Sequence, residues 1–598
     1  MSSLNTFRES GVLRAIDVQV GRALNRMVPE SCELVLLGAA AASRVHGTGH
    51  ICLELDRFRE QVRHESTEED VLPWPEGSAW LEALEKSPLV RRPGEDVHTP
   101  LVLEGRRLYL DRYWSYQLRL SAQIQSRVQR RPFTGEHASL TSLLDGLFPE
   151  HDTYDPKMLQ RKAAETAALH GFSIVTGGPG TGKTTTIKRL MALLIQQAKA
   201  EDEPAPKFLL MAPTGKAAAR MKESLRESGG HALAPEILEQ MPDEASTIHR
   251  ALGFNPRTPT VFKRNASRPL DADVVIVDEA SMVDLALMTK LVEAVAEDAR
   301  LILLGDADQL ASVEAGAVLG DLCGGLRAGV VRLEYTHRFG TDSGVGALSR
   351  AIKAGDALGA LQLLERNASE RDEPYEELKW LGVEESQSYR GARKAIRTHL
   401  ETLVVSELKC FFDAVEGNEY GRALKELDNF RVLAAHREGL LGVSGLNQAI
   451  ERWLFKAGMI DLSTENYQGR PVLVLENDRE QELYNGDVGF MAMESGKAVA
   501  IFPDMDGAAY RVVPAGRLPP HETVYAMTVH KSQGSQLKHA LLALPLQPSR
   551  ILTRELLYTA VTRAQTRVTV IGAEETFKAG VNAYIERSSG LGDALQDA

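Results

Sequence analysis

The run Gly177-Gly178-Pro179-Gly180-Thr181-Gly182-Lys183-Thr184-Thr185 fits the spacing G-x-x-x-x-G-K-[ST], with Gly177, Gly182, Lys183 and Thr184 at its specified positions. Glycines let successive backbone N–H groups curl around an anion, and a helix that follows turns its positive end toward it. Lys183 would reach the β- and γ-phosphates of a nucleoside triphosphate such as ATP, and the Thr184 hydroxyl would ligate Mg²⁺. The spacing predicts a nucleotide site on Gly177 to Thr185.

Hydrolysis needs further groups, and candidates follow. VVIVDEAS sets Asp278 and Glu279 just past an apolar run. There Asp278 could hold Mg²⁺ while Glu279 orients and deprotonates water. LLGDADQL carries Asp306 and Gln309 past a second apolar run, where Gln309 could contact the γ-phosphate. Arg338 in LEYTHRF and Arg563 in LLYTAVTRAQ are candidates to stabilise charge on a transferring phosphoryl group. Taken alone, each arginine reads more readily as a surface ion pair. Ala526 to Gln536, AMTVHKSQGSQ, has the small polar character of a phosphate-contacting loop.

These residues need a scaffold. Phe172–Thr176, Phe208–Ala212, Val274–Val277 and Leu301–Leu304 are short apolar runs alternating with helical patterns. That predicts an α/β unit over about 126–345, its parallel sheet covered on both faces. Inside it, LGFNPRTPTVFKRNASRPLD is basic and proline-bearing, which predicts a small exposed hairpin at about 252–270. Residues 1–125 predict a separate, partly helical unit with a hairpin turning at Glu104-Gly105. In it YWSYQLRLSAQI reads as a helix burying Trp114 and Leu118. Residues 346–465 read as mostly helical, with an acidic stretch from Glu365 to Glu385 left without assigned structure. Short strands punctuated by Asn485-Gly486, Ser495-Gly496 and Asp506-Gly507 predict a small β-barrel over 466–524, inserted in a second α/β unit that resumes at 525–598.

Composition narrows the class. A chain of 598 residues implies several domains, and 43% hydrophobic with 25% charged residues is ordinary for a globular protein. With 69 basic and 82 acidic residues the net charge is −13, which argues against nucleic-acid binding through overall charge but not through a locally basic groove. Cys32, Cys52, Cys323 and Cys410 are widely spaced and suggest neither a disulfide framework nor a zinc site. No signal-like start is seen, and the most apolar run, Leu34 to Ala42, is too short to span a bilayer, so the expected location is cytoplasmic with no membrane partner. No acidic cluster outside the nucleotide motifs is spaced for two metals, so no nuclease site is expected.

Taken in order, GGPGTGKTTT, MAPTGKAAARM, ASTIHRALG, VDEASM, LLGDADQL, THRF, AMTVHKSQGSQ and LLYTAVTRAQ resemble the motif series of superfamily 1 helicases. LYLDRYWSY, LYNGDVG and TRELLYTAVTRA make the chain similar to the RecD family, alpha subunits of exodeoxyribonuclease V (RecBCD-type) complexes. The resemblance implies two RecA-like P-loop motor domains, ATP and Mg²⁺ as cofactors, and 5′–3′ movement on single-stranded DNA entered from a duplex end. RecC-like and RecB-like subunits are the implied partners, in double-strand break repair by recombination. By position it gives Gln160 to adenine recognition. It gives Pro213, Thr214, Lys216, Thr247 and His249, with Thr528, His530, Gln533 and Gly534, to DNA contact, and Arg338 and Arg563 to the γ-phosphate. Relatives often carry glutamate where this chain has Gln536. Two other readings stay open: a stand-alone RecD-like helicase, and an interaction subunit switched by ATP.

Overall fold

The computed structural model describes residues 3–30, 32–62, 72–132, 137–148, 157–226, 233–255, 257–258, 260–336, 338–340, 343–365, 377–384, 389–478, 480–504 and 510–596. Among them lies a six-stranded sheet in the order Val330–Leu333, Phe172–Gly177, Arg300–Gly305, Val274–Val277, Phe208–Ala212, Ala245–Thr247. Every neighbouring pair is parallel. Val, Ile and Leu fill the central strands because helices cover both faces and water reaches neither. Parallel pairing also gathers the loops after all these strands along one edge, the usual ligand edge of such sheets. The phosphate loop, Asp278-Glu279 and Asp306–Gln309 therefore emerge side by side. Two strands were not expected: Ala245–Thr247 is three residues long and largely polar, and Val330–Leu333 precedes a segment read only for its arginine.

A second parallel sheet has the order Leu378–Gly382, Ala564–Gly572, Leu537–Ala543, Phe430–Ala434, Ala526–Thr528. Its edge strand Leu378–Gly382 lies inside the acidic stretch left unassigned from sequence, where Leu378 and Leu381 are buried despite the charges around them. Phe430–Ala434 interrupts the region read as helical and is buried along its whole length. The third sheet is antiparallel, ordered Tyr510–Pro514, Lys497–Pro503, Val488–Glu494, Pro471–Val474, His521–Thr523. This corrects the expected barrel. Among the described residues Tyr510–Pro514 and His521–Thr523 are opposite edges and do not pair, so the sheet stays open. Ser495 and Gly496 both adopt positive φ, the geometry of a tight hairpin turn. The Asp506-Gly507 turn lies outside the described residues.

At the N-terminal end, Glu33–His46 and Gly77–Glu85 pack with the hairpin Leu101–Glu104 and Arg107–Leu110 around Phe7, Phe58 and Trp80. The helix Asp111–Gln129 runs straight through position 125, so the expected boundary there falls inside one element. It buries Trp114, Gln117, Leu120, Ser121 and Ile124, whereas Leu118 is 49% exposed. Leu118 was expected on the buried side. One step of about 100° past Gln117 carries it off that face.

Residues 584–596 leave the second sheet and cross to this N-terminal region. Arg587 donates to the carbonyls of Ser312, Glu314 and Gly316, Ser588 accepts from Ile51 N at 2.9 Å, and Gly590 N donates to Gln117. The short helix Leu591–Gln596 then packs on Val318–Gly325, where a Cβ at Gly325 would meet the Gly592 carbonyl at 2.8 Å.

His50 fixes this crossing: its Nδ1 accepts from Ser588 N at 3.0 Å. Burial first, then the charges of Arg587 and Arg57, push His50 down to about 4. The unfolded chain, titrating near the ordinary His value of about 6.5, binds this proton first, so the contribution is whole above that pH and is lost as pH falls toward 4. His50→Asn keeps an acceptor without the titration. Lowering pH from 7 to 5 should cost wild type about 2 kcal/mol more than the variant, read from the urea midpoint of the earliest unfolding transition.

Candidate active site

The phosphate loop joins the strand Phe172–Gly177 to the helix Lys183–Ala200. Gly180 and Gly182 sit at φ 78° and 83°, where a side chain is strained. Gly180 is also pressed from outside, since a Cβ there would lie 2.2 Å from Cβ of Arg338. The Thr336 hydroxyl donates to the Pro179 carbonyl at 3.0 Å, so Thr336 and Arg338 both lie directly on the loop. Within it, Lys183 Nζ donates to the carbonyls of Gly177 at 2.5 Å and Gly178 at 3.1 Å, and the Thr181 hydroxyl donates to Gly178. Gln160, buried, donates to the Thr181 carbonyl at 3.1 Å. Thr184 and Thr185 open the helix.

Asp278 and Glu279 follow the buried strand Val274–Val277. Glu279 holds a left-handed backbone at φ 51°, which costs about 1–2 kcal/mol for a side-chain-bearing residue. Its N–H donates to the Asp278 carboxylate at 2.8 Å. Burial, then the Glu279 charge, pushes the Asp278 carboxyl above the usual carboxylate range, with Lys183 pulling the other way. A cation would relieve this pair of carboxylates, and the Thr184 hydroxyl and Asp278 have the hard-oxygen chemistry Mg²⁺ takes, the remaining ligands being phosphate oxygens and water. Among the described residues no cluster of three or more His, Cys, Asp or Glu forms a metal cage.

Arg563 comes from the other sheet, just after the helix Arg554–Val561. It is buried and donates to Gln309 Oε1 at 3.0 Å, to the Thr559 carbonyl at 3.2 Å and to the Ser535 carbonyl at 3.4 Å. Gln309 Nε2 donates in turn to Asp306 at 3.1 Å. Burial lowers Arg338 to about 10, with the charges of Arg220 and Arg563 acting in the same direction. The structure thus brings Lys183, Asp278, Glu279, Gln309, Arg338 and Arg563 around one loop.

Two residues of this cluster were missed from sequence. Arg220, on the helix Gly215–Arg226, feels Arg563, Glu279 and Asp278 and donates to the Gly534 carbonyl at 3.1 Å. Tyr558 donates to Asp306 at 3.1 Å. Both lie in motifs named above, MAPTGKAAARM and LLYTAVTRAQ, but nothing in either motif's own spacing sets apart a helical arginine or an apolar-flanked tyrosine.

The residues assigned to DNA fall on the same sheet edges. Pro213, Thr214 and Lys216 follow Phe208–Ala212, while Thr247 caps the turn Ile248–Ala251 by accepting from Arg250 N. His249 packs at 5.4 Å from Phe254 and 5.8 Å from Phe262, and these two phenylalanines form an antiparallel bridge. The expected hairpin is therefore clamped at its base to His249; Pro256 and Pro259 lie outside the described residues. Lys216 is pushed down by burial, and Gly215 beside it faces Tyr484, in the loop between Pro471–Val474 and Val488–Glu494 of the antiparallel sheet. Thr528 and His530 stand at the edge of the second sheet, and Gln533 donates to the Leu310 carbonyl at 3.0 Å. Gly534, at φ 73°, faces Ala217. Gln536 accepts from Gln565 on the surface at 2.8 Å.

Comparison with known proteins adds independent findings. Residues 9–109 match the family described as RecBCD enzyme subunit RecD, N-terminal domain. Residues 160–315 match an AAA domain, and 523–571 a UvrD-like helicase C-terminal domain. The RecBCD enzyme subunit RecD of Mycolicibacterium smegmatis is 40% identical over 100% of both chains. That of Haemophilus influenzae is 34% identical over 94% of this chain and 93% of its own. The ATP-dependent RecD2 DNA helicase of Deinococcus radiodurans is 30% identical over 70% of this chain and 49% of its own. A solved structure of Pif1 helicases at forked duplex DNA superposes with TM-score 0.38 at 18% identity, covering 73% of this chain and 93% of that one.

Arg563→Ala is expected to lower nucleotide turnover by 10³-fold or more while nucleotide affinity changes far less, because such a residue acts once charge develops on the transferring group. Steady-state kinetics beside equilibrium nucleotide binding checks this. Equal losses in affinity and kcat/KM with kcat intact would make Arg563 a ground-state contact.

Proposed function

The chain belongs to the RecD family of RecBCD enzyme subunits, and from that premise we propose how it works as the ATP-dependent DNA helicase subunit of a RecBCD-type complex in recombinational repair of double-strand breaks. The observation that carries the mechanism is the meeting of Arg563, from one parallel sheet, with Gln309, from the other, beside the phosphate loop. The two parallel sheets act as RecA-like motor domains, about 126–345 and 346–465 with 525–598. ATP is bound by Gly177 to Thr185, with Gln160 beside the base. Mg²⁺, held by Thr184 and Asp278, would screen the phosphate charge when bound. Glu279 takes the proton of the attacking water, and Lys183, Arg338 and Arg563 stabilise charge on the γ-phosphate.

Closure and opening of the two sheets would then shift the grip on single-stranded DNA between Pro213, Thr214, Lys216, Thr247 and His249 on one side and Thr528, His530, Gln533 and Gly534 on the other. Movement 5′–3′ and a cytoplasmic site of action are part of this reading. The N-terminal region is assigned to assembly with a RecC-like subunit, beyond which a RecB-like helicase-nuclease sits. Identity along the full length supports the subunit reading over the stand-alone one.

Lys183→Gln should reduce DNA-stimulated ATP hydrolysis at least 10³-fold, about 4 kcal/mol of transition-state stabilisation, while single-stranded DNA binding survives. Turnover within tenfold of wild type would show that this loop is not the catalytic site. Unwinding by the complex carrying the variant separates a motor from an ATP switch.

The segment Arg257 to Asn265 should part the strands. It is basic, outside the ATP motifs, and seated on His249 through Phe254 and Phe262. Replacing it with a glycine turn should leave DNA-stimulated ATPase within about twofold and lower unwinding tenfold or more. Parallel loss of both activities would assign it to the fold or the DNA grip.

A further inference from the structure

Tyr558 carries no assigned role, yet its hydroxyl reaches further across the seam than any apolar core residue requires. The ring is 6% exposed on the helix Arg554–Val561. Its hydroxyl donates to Asp306 Oδ2 at 3.1 Å, 252 residues away in sequence and on the other sheet. It also touches the phosphate loop, because a Cβ at Gly178 would lie 2.7 Å from it.

Asp306 is itself buried, and the same Oδ2 accepts from Gln309 Nε2 at 3.1 Å while Oδ1 accepts from Asp308 N. The backbone of the Gln309 loop is pinned separately: Leu310 N donates to the Thr559 hydroxyl and the Leu310 carbonyl accepts from Gln533. What is left to set is the rotation of the Gln309 amide. A carboxamide has one donor end and one acceptor end. With its nitrogen committed to Asp306, its oxygen must face Arg563, as observed at 3.0 Å. Without the Tyr558 donor, Asp306 Oδ2 keeps only the Gln309 Nε2 bond, and the carboxylate that anchors the Gln309 amide loses the donor that holds it from the second sheet.

We propose that Tyr558 is a positioning residue for ATP hydrolysis: through Asp306 it fixes the orientation of Gln309, and so of Arg563, only when the second sheet is seated against the phosphate loop. This rests on the ATPase reading above. It makes the seating of the second sheet, and not the presence of the first sheet's own residues, the event that completes the hydrolytic arrangement.

The test uses the full-length chain and single-stranded-DNA-stimulated ATP turnover measured against ATP concentration. Wild type is compared with Tyr558→Phe, Gln309→Ala and the double variant. Tyr558→Phe keeps the ring, so kcat should fall at least tenfold while KM for ATP, DNA affinity and the melting temperature stay close to wild type. Placed on Gln309→Ala, the same change should cost less than twofold, since the group it orients is gone. The proposal is overturned if Tyr558→Phe turns over within twofold of wild type, or if the two losses multiply. It is equally overturned if the loss tracks a lowered melting temperature and vanishes when the assay is cooled. A wild-type chain with no ATP turnover would bring down the functional reading and this proposal with it; normal wild-type turnover with an unaffected Tyr558→Phe sinks only the positioning role.

Discussion

An arginine taken out of water must find acceptors for a fixed fork of donors, and Arg563 finds its acceptors on both sheets. Thr559 and Ser535 carbonyls come from its own side, and the Gln309 oxygen comes from the other. Pull the sheets apart and the guanidinium exchanges the Gln309 oxygen for water, so this contact exists only in the docked arrangement. Docking of the sheets and placement of the arginine are thus one event. The neighbourhood sharpens the constraint, because Arg220 and Arg338 sit close enough for their charges to oppose that of Arg563. Asp278 and Glu279 offset part of that repulsion, and a polyphosphate between the sheets has the charge to offset the rest.

Much of this was legible from sequence where the chemistry is contiguous. The phosphate loop is a single stretch of backbone, so its glycine spacing carries the geometry with it. Asp278, Glu279 and Gln309 could be placed because each follows a run of β-branched and leucine residues that only a buried parallel strand tolerates. The failures are of another kind. Ala245–Thr247 and Leu378–Gly382 are strands by virtue of the neighbours they pair with, one of them polar and one inside an acidic stretch. Periodicity reads a strand's own faces and is blind to that. Tyr558 and Arg220 acquire their surroundings only when remote segments meet, and nothing local distinguishes them from a core aromatic and a surface cation. The barrel prediction failed for a related reason: strand number and turn type were readable, whereas closure depends on whether two edges far apart in sequence meet.

The antiparallel sheet has a structural place in this scheme. Tyr484, in the loop between Pro471–Val474 and Val488–Glu494, lies against Gly215, next to Lys216. An insertion in the second α/β unit therefore touches the first beside a residue assigned to the DNA backbone. The inserted sheet's loop and the first α/β unit are thus in direct contact beside Lys216.

The crossing of residues 584–596 also sets an order of events during synthesis. His50 and Ser588, joined in the folded protein, are 538 residues apart. At about 5–20 residues per second, a ribosome makes Ser588 roughly half a minute to two minutes after His50. Until then Ile51 and Cys52 have no strand-like partner, and the apolar face that receives Leu591 and Leu595 stays bare. A nascent chain thus displays an apolar seam until residues 584–596 are made. Residues 584–596 hide it, so folding of this N-terminal edge is complete only once they are in place.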